Sequence, residues 1–268
     1  MKRIGLWFAA IAAATFSAGP FLWQLLTSLR PEGEITRIGL PSSISLASFA
    51  GAFHGRPFGR VILNSALVAT TTTVFCLAVG ASAAFALAKL QFRGKSLLLG
   101  FSLAVSMFPP IATVSPLYLM IRALGLRDTL GGLVLPYTTF ALPLTIWILH
   151  RFFKDIPDEL YRAARVDGCT PFMAFRLVLL PLAGPGLATT AILVFVSAWN
   201  EFLYALTFTS SPDKRTIPVA ISLFAAEHKE PWGEIAAASV IAALPLLFVT
   251  LLFQRKIIAG LTAGAVKG

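Results

Sequence analysis

Apolar residues fall in six long runs along this chain, and charged residues fall almost entirely between them. The runs are Ile4–Leu29, Val61–Ala88, Leu97–Ile121, Thr129–Leu149, Leu187–Asn200 with an extension to Phe208, and Ile235–Phe253. Crossing a bilayer as a helix takes roughly 20 predominantly apolar residues, and each run reaches or approaches that length. Backbone amides in hydrocarbon must be satisfied within their own segment, so the pattern predicts helices. Prolines interrupt several runs: Pro109 and Pro110 in the third, Pro136 and Pro143 in the fourth, Pro245 in the sixth. Each removes a backbone hydrogen bond and bends its helix. Pro109-Pro110, mid-run, reads either as part of a moving pathway or as an ordinary packing kink.

The stretch from Lys154 to Leu187 breaks the pattern, being charged in a chain that is mostly apolar. Its first half predicts a short helix over 157–167. Pro157 suits the first helical position, and Asp158 and Glu159 complement the positive end of the helix dipole. Leu160, Ala163 and Ala164 recur at i, i+3, i+4 as a narrow apolar stripe. Asp167-Gly168 ends the helix, and Thr170-Pro171 starts another. A small-residue stripe on an exposed loop either docks into a groove on another protein or is a connector packed on its own chain.

Composition settles the compartment. Of 268 residues, 57% are hydrophobic and 13% charged, against about 25% charged in soluble domains. The net charge of +10 does not point to nucleic acid, because the basic residues sit in the connections and form no stripe. Placed by the positive-inside rule, Lys89, Arg93 and Lys95 in one short connection, and Arg151, Lys154, Arg162, Arg165 and Arg176 in the long one, lie in the cytoplasm with both termini. Two long loops then face outward, Arg30–Arg60 and Thr209–Glu234. The organisation read from this is a first span and outward loop (1–58), a five-span core (59–253) and a cytoplasmic tail (254–268).

Polar residues at membrane depth are the other candidates. Asn64 lies near the outer start of the second run, and Asn200 and Glu201 near the outer end of the fifth. A carboxylate there marks a functional site by default, although near the interface it can equally serve a structural hydrogen bond. No catalytic constellation appears. Gly94-Lys95-Ser96 resembles the end of a phosphate-binding loop, but Lys89 stands where that pattern needs its first glycine. His54, His150 and His228 are scattered, Cys76 and Cys169 have no metal spacing, and no nucleophile elbow is present.

The loop resembles the signature loop of the membrane subunits of binding-protein-dependent ABC importers, which carries Glu-Ala-Ala, three residues, then Gly, with Leu-Pro further on. Ala163, Ala164, Asp167, Gly168, Phe175, Leu180, Pro181 and Pro185 stand at matching positions. Arg162 departs, standing where the family usually has glutamate, and Glu159 matches a second acidic position common in sugar permeases. The C-terminal Gly-Leu-Thr tail, with Gly260, Leu261, Thr262, Gly264 and Lys267, is similar to the maltose/trehalose-type subgroup. The resemblance implies an all-α integral membrane protein of the bacterial plasma membrane, with six transmembrane helices in the type I importer permease fold. It implies a permease that is no enzyme and holds no cofactor, with ATP and Mg on separate ATPase subunits. Its partners would be a second permease, an ATPase dimer and an extracytoplasmic sugar-binding protein. Glu159, Leu160, Arg162, Ala163, Ala164, Asp167 and Gly168 would meet one ATPase as a coupling helix, and the tail would enter the ATPase interface. Asn64, Pro109, Pro110, Asn200 and Glu201 remain candidates for the translocation path. The alternatives are an ion-coupled secondary transporter, a non-transporting membrane scaffold, and an importer permease for a solute other than sugar.

Overall fold

A computed structural model describes residues 2–224 and 231–263, with side chains over 5–224 and 231–254. Helices account for nearly all regular structure among the described residues: α1 Lys2–Ser28, α2 Ala47–Phe53, α3 Phe58–Lys89, α4 Lys95–Ser106, α5 Pro110–Ala123, α6 Gly131–Asp155, α7 Asp158–Val166, α8 Pro171–Ala174, α9 Leu180–Leu182, α10 Gly184–Trp199, α11 Leu203–Phe208, α12 Ile217–Ser222 and α13 Trp232–Ala263. A π-helical turn, Phe175–Leu179, joins α8 to α9. Four stretches are uninterrupted and apolar enough to span a membrane: Gly5–Ser28, Phe58–Lys89, Gly131–Asp155 and Trp232–Gln254. The count becomes 6 when each of two bent pairs is taken as one span.

The bent pairs are where the fold departs from the expected helices. The third run is no kinked rod: α4 and α5 meet at 95°. Pro110 clashes with an α conformation at Pro109, which adopts an extended ψ of 124°. Helix α10 begins at Gly184, after a 79° bend from the α8–α9 segment. It ends at Trp199, so the expected continuation to Phe208 is a separate short helix, α11. Helix α13 stays helical through Ala263, past the expected boundary at 254.

The chain divides into two compact units. One contains the residues up to Ile62 together with α12 and the first half of α13, as far as Leu247. Here Arg30, 1% exposed, donates to the carbonyls of Glu34, Arg37 and Gly39 and lies over the Trp23 ring. Arg30 is thus the internal tie of the first loop. Arg56 pairs with Glu234 and covers the Phe224 ring at 4.2 Å.

The other unit is built on Leu63–Thr216. Its core near one end of α3 and α6 gathers Ala81, Ala84, Phe85, Leu149, Phe153, Phe175, Leu179 and Ala183. The Phe85 ring lies 4.9 Å from Phe175 and meets Phe153 edge-on at 6.2 Å. Gly186 lets Phe152 approach so closely that a Cβ there would sit 2.5 Å from the ring.

Candidate functional site

Helix α7 is one residue shorter at each end than the 157–167 its sequence predicts. Pro157 takes ψ 137° and caps the helix from outside, so Asp158 opens the first turn. That shift puts Asp158 within reach of Lys89 at the end of α3. The Lys89 side chain is 2% exposed, and its ammonium donates to Asp158 Oδ1 at 2.5 Å and to the Ile156 carbonyl at 2.6 Å. A buried lysine must be paired, and here the pairing fixes both the entry to α7 and its first turn. The ammonium beside Asp158 holds its carboxyl below the usual carboxylate range.

The inward face of α7 carries Tyr161 and Ala164. Tyr161 meets the Phe85 ring edge-on at 5.9 Å, and Ala164 is buried at 6% exposure. The expected stripe of Leu160, Ala163 and Ala164 therefore splits. Ala164 turns toward its own chain, while Leu160, Ala163 and Val166 remain exposed with Glu159, Arg162, Asp167 and Gly168. The outward apolar face is Leu160–Ala163–Val166.

The C-terminus of α7 forms a complete Schellman motif. The Cys169 amide donates to the Ala164 carbonyl at 3.0 Å, and the Gly168 amide to that of Arg165 at 3.3 Å. Gly168 adopts φ 87°, which glycine takes without cost. Arg165 then donates to the Cys169 carbonyl. Thr170 caps α8 through its hydroxyl, accepting from the Met173 amide at 3.2 Å, with Pro171 in the first turn.

The path candidates scatter. Asn64 is buried, and its amide donates to the Asp213 and Arg215 carbonyls at 2.8 and 3.0 Å, pinning the loop after α11 to α3. Asn200 is exposed and donates back to the Val196 carbonyl. Glu201 accepts from the Tyr204 and Ala205 amides at 2.9 and 3.2 Å, capping α11. Pro109 and Pro110 form the exposed elbow between α4 and α5. Tyr204 brings two of these together: its amide binds Glu201, and its hydroxyl bonds the Thr113 hydroxyl at 2.7 Å and the Pro110 carbonyl at 3.2 Å. Glu201, Tyr204, Tyr137 and Ser197 line a cavity of about 80 Å³. Of the tail, Gly264 and Lys267 lie outside the described residues, and Gly260, Leu261 and Thr262 are described only as backbone of α13.

In the sequence Lys89 reads as an orientation charge, and Tyr204 carries no evident mark of its role. The signal for Lys89 was available in its register: it stands four residues after Phe85 and eight after Ala81, on the core-facing side of α3. Tyr204, four residues before Phe208, shares the buried face of α11 in the same way.

Membrane-length helices, two sharply bent helix pairs and a short polar helix braced at one end define a polytopic helical membrane protein. The chain belongs to the family of binding-protein-dependent transport system inner membrane components, whose model matches residues 77–262. It is 47% identical to the trehalose transport system permease protein SugB of Mycobacterium tuberculosis, over 93% of this chain and 92% of that one. It is 38% identical to the trehalose/maltose transport system permease protein MalG of Thermococcus litoralis, over 100% and 98%. With the sulfoquinovosyl glycerol transport system permease protein SmoH of Agrobacterium fabrum the identity is 40%, over 93% and 88%. The fold matches a crystal structure of a bacterial ABC transporter involved in the import of alginate, with a TM-score of 0.78 and 22% identity over 95% of this chain and 96% of that one. The chain is a permease subunit of an ABC importer, a multi-pass inner-membrane protein rather than an enzyme.

Proposed function

We propose that this chain carries a sugar, a disaccharide such as trehalose or maltose, across the bacterial plasma membrane. It works with a second permease, two ATPase subunits that bind the ATP and Mg, and an extracytoplasmic sugar-binding protein. The observation that carries this reading is α7: a short helix braced on its own core by Lys89, Tyr161 and Ala164, with Leu160, Ala163 and Val166 left exposed. A face held that rigidly transmits a push. When the ATPases close on ATP, α7 moves as a body with the ends of α3 and α6, and the bundle rocks between outward- and inward-open states. Both termini and α7 lie in the cytoplasm on this reading, and the tail follows α13 toward the ATPase interface. The relatives named for trehalose, maltose and a sulfosugar glycoside support a carbohydrate cargo.

Reconstitution tests it. Proteoliposomes holding this chain with its partner permease, ATPases and binding protein are expected to accumulate labelled trehalose or maltose only with ATP. Uptake by vesicles holding this chain alone, driven by an ion gradient, would overturn it. Single cysteines at Leu160, Ala163 and Val166 are expected to cross-link to the ATPase, whereas one at Ala164 is not.

A further inference from the structure

A second cavity, of about 330 Å³, opens at the same end of the Leu63–Thr216 unit as α7. It is lined by Leu87 and Ala88 of α3, Lys95, Ser96 and Leu99 of α4, and His150 and Lys154 of α6. Its volume falls in the range of about 300–1,000 Å³ typical of small-molecule sites. Two helices supply three nitrogen bases, and among the described residues no carboxylate lines the space. His150 and Lys154 stand one turn apart on α6, and Lys95 opens the first turn of α4, where the helix dipole adds positive potential. The Lys95 ammonium lies 5.7 Å from the Phe92 ring centre. Asp158, outside the lining, is paired with Lys89 and also feels the Lys95 charge.

We propose that this cavity binds the phosphodiester headgroup of an anionic glycerophospholipid. Phosphate chemistry follows from the lysine pair, the Ser96 hydroxyl and the helix terminus. A lipid, rather than free phosphate, follows from the surroundings. The cavity sits where α3 and α6 reach the end of their membrane-length stretches, which puts it at headgroup depth when these helices span a bilayer. Leu87, Ala88 and Leu99 give it apolar walls, and α4 continues away from it with Leu97, Leu98 and Phe101 exposed. That surface suits acyl chains and has nothing to offer a soluble anion. The inference needs only that these helices span a membrane, and it is independent of the cargo.

The test uses the full chain, purified in detergent with its associated subunits and exchanged against equimolar phosphatidylglycerol and phosphatidylcholine, with retained lipid counted by native mass spectrometry. The wild type is expected to retain phosphatidylglycerol selectively. Near a membrane surface each lysine contributes about 5-fold, so the variant Lys95→Ala with Lys154→Ala should lose about 30-fold in retention. Lys95→Arg with Lys154→Arg should keep it, showing that charge and not folding is read. Equal retention by the wild type and the alanine variant, with both melting alike, would overturn the site. So would a helix-rich alanine variant whose arginine counterpart also fails to bind. Displacement by inorganic phosphate alone would overturn the lipid assignment, and selective retention by the chain stripped of its partner subunits but not by the complex would show that the cavity is a protein interface instead.

Discussion

Replacing Gly168 isolates what the end of α7 contributes, because nothing else is disturbed. A Cβ built there meets no heavy atom within 4 Å, so sterics beyond the backbone cost nothing. The backbone itself does cost: at φ 87°, an L side chain loses roughly 1–2 kcal/mol relative to glycine. At about 1.4 kcal/mol per factor of ten, the capped turn becomes about 5- to 30-fold less populated relative to its frayed alternatives. Asn tolerates left-handed geometry best, Ala less well, and β-branched Val worst. The order Gly, Asn, Ala, Val should therefore appear in two readouts. Hydrogen exchange at the Gly168 and Cys169 amides, which hold the Schellman bonds, should accelerate along that series. ATP-dependent uptake should fall along it while membrane insertion stays constant. The exchange arm tests the turn whatever the cargo is. A Val variant with wild-type exchange and uptake, or an Asn variant as impaired as Val, would show that the left-handed conformation is not what matters.

Further outcomes are open to direct measurement. Lys89→Met should free the first turn of α7, so amides of 158–162 exchange several-fold faster, and Lys89→Arg should restore most of the protection; unchanged exchange would remove Lys89 from its bracing role. Tyr204→Phe deletes the hydroxyl bonded to Thr113 and Pro110 and should cost about 1 kcal/mol in thermal or denaturant unfolding. Asp128, in the loop before α6, accepts from the Ser211 hydroxyl and the Ser210 and Ser211 amides, which hold its carboxyl below the usual range. A lowered folded value gives stability that is present above the unfolded carboxylate value, near about 3.9, and is lost as pH falls through the folded value. The melting gap between wild type and Asp128→Asn should thus be open at neutral pH and close below that window; a gap independent of pH would contradict the assignment.

The membrane class, the helical spans, the polar loop between the fourth and fifth of them and its Asp-Gly turn were all legible in the sequence. They depend on local facts: long charge-free runs, proline and glycine at punctuating positions, and the dipole-matched charges of α7. The path candidates carried two readings, substrate contact and structural hydrogen bonding. Asn64, Asn200 and Glu201 stand out in the sequence for being polar at membrane depth, and in the structure all three bond backbone groups. Unpaired backbone at helix ends needs such partners as much as a substrate does, and a sequence does not distinguish the two demands.

Only tertiary packing decided which way α7 faces. Its alanines are equivalent in chemistry, and one helical step of 100° separates Ala163, exposed, from Ala164, buried against the core. That step was set by Lys89 and Phe85, some 70 residues earlier in the chain, reaching Asp158 and Tyr161. The 95° elbow at Pro109-Pro110 was announced by two prolines, but its closure onto α11 through Tyr204 was not. Periodicity and composition determine what each segment is and which solvent it needs. Which side chains meet across segments depends on distances that no single stretch encodes.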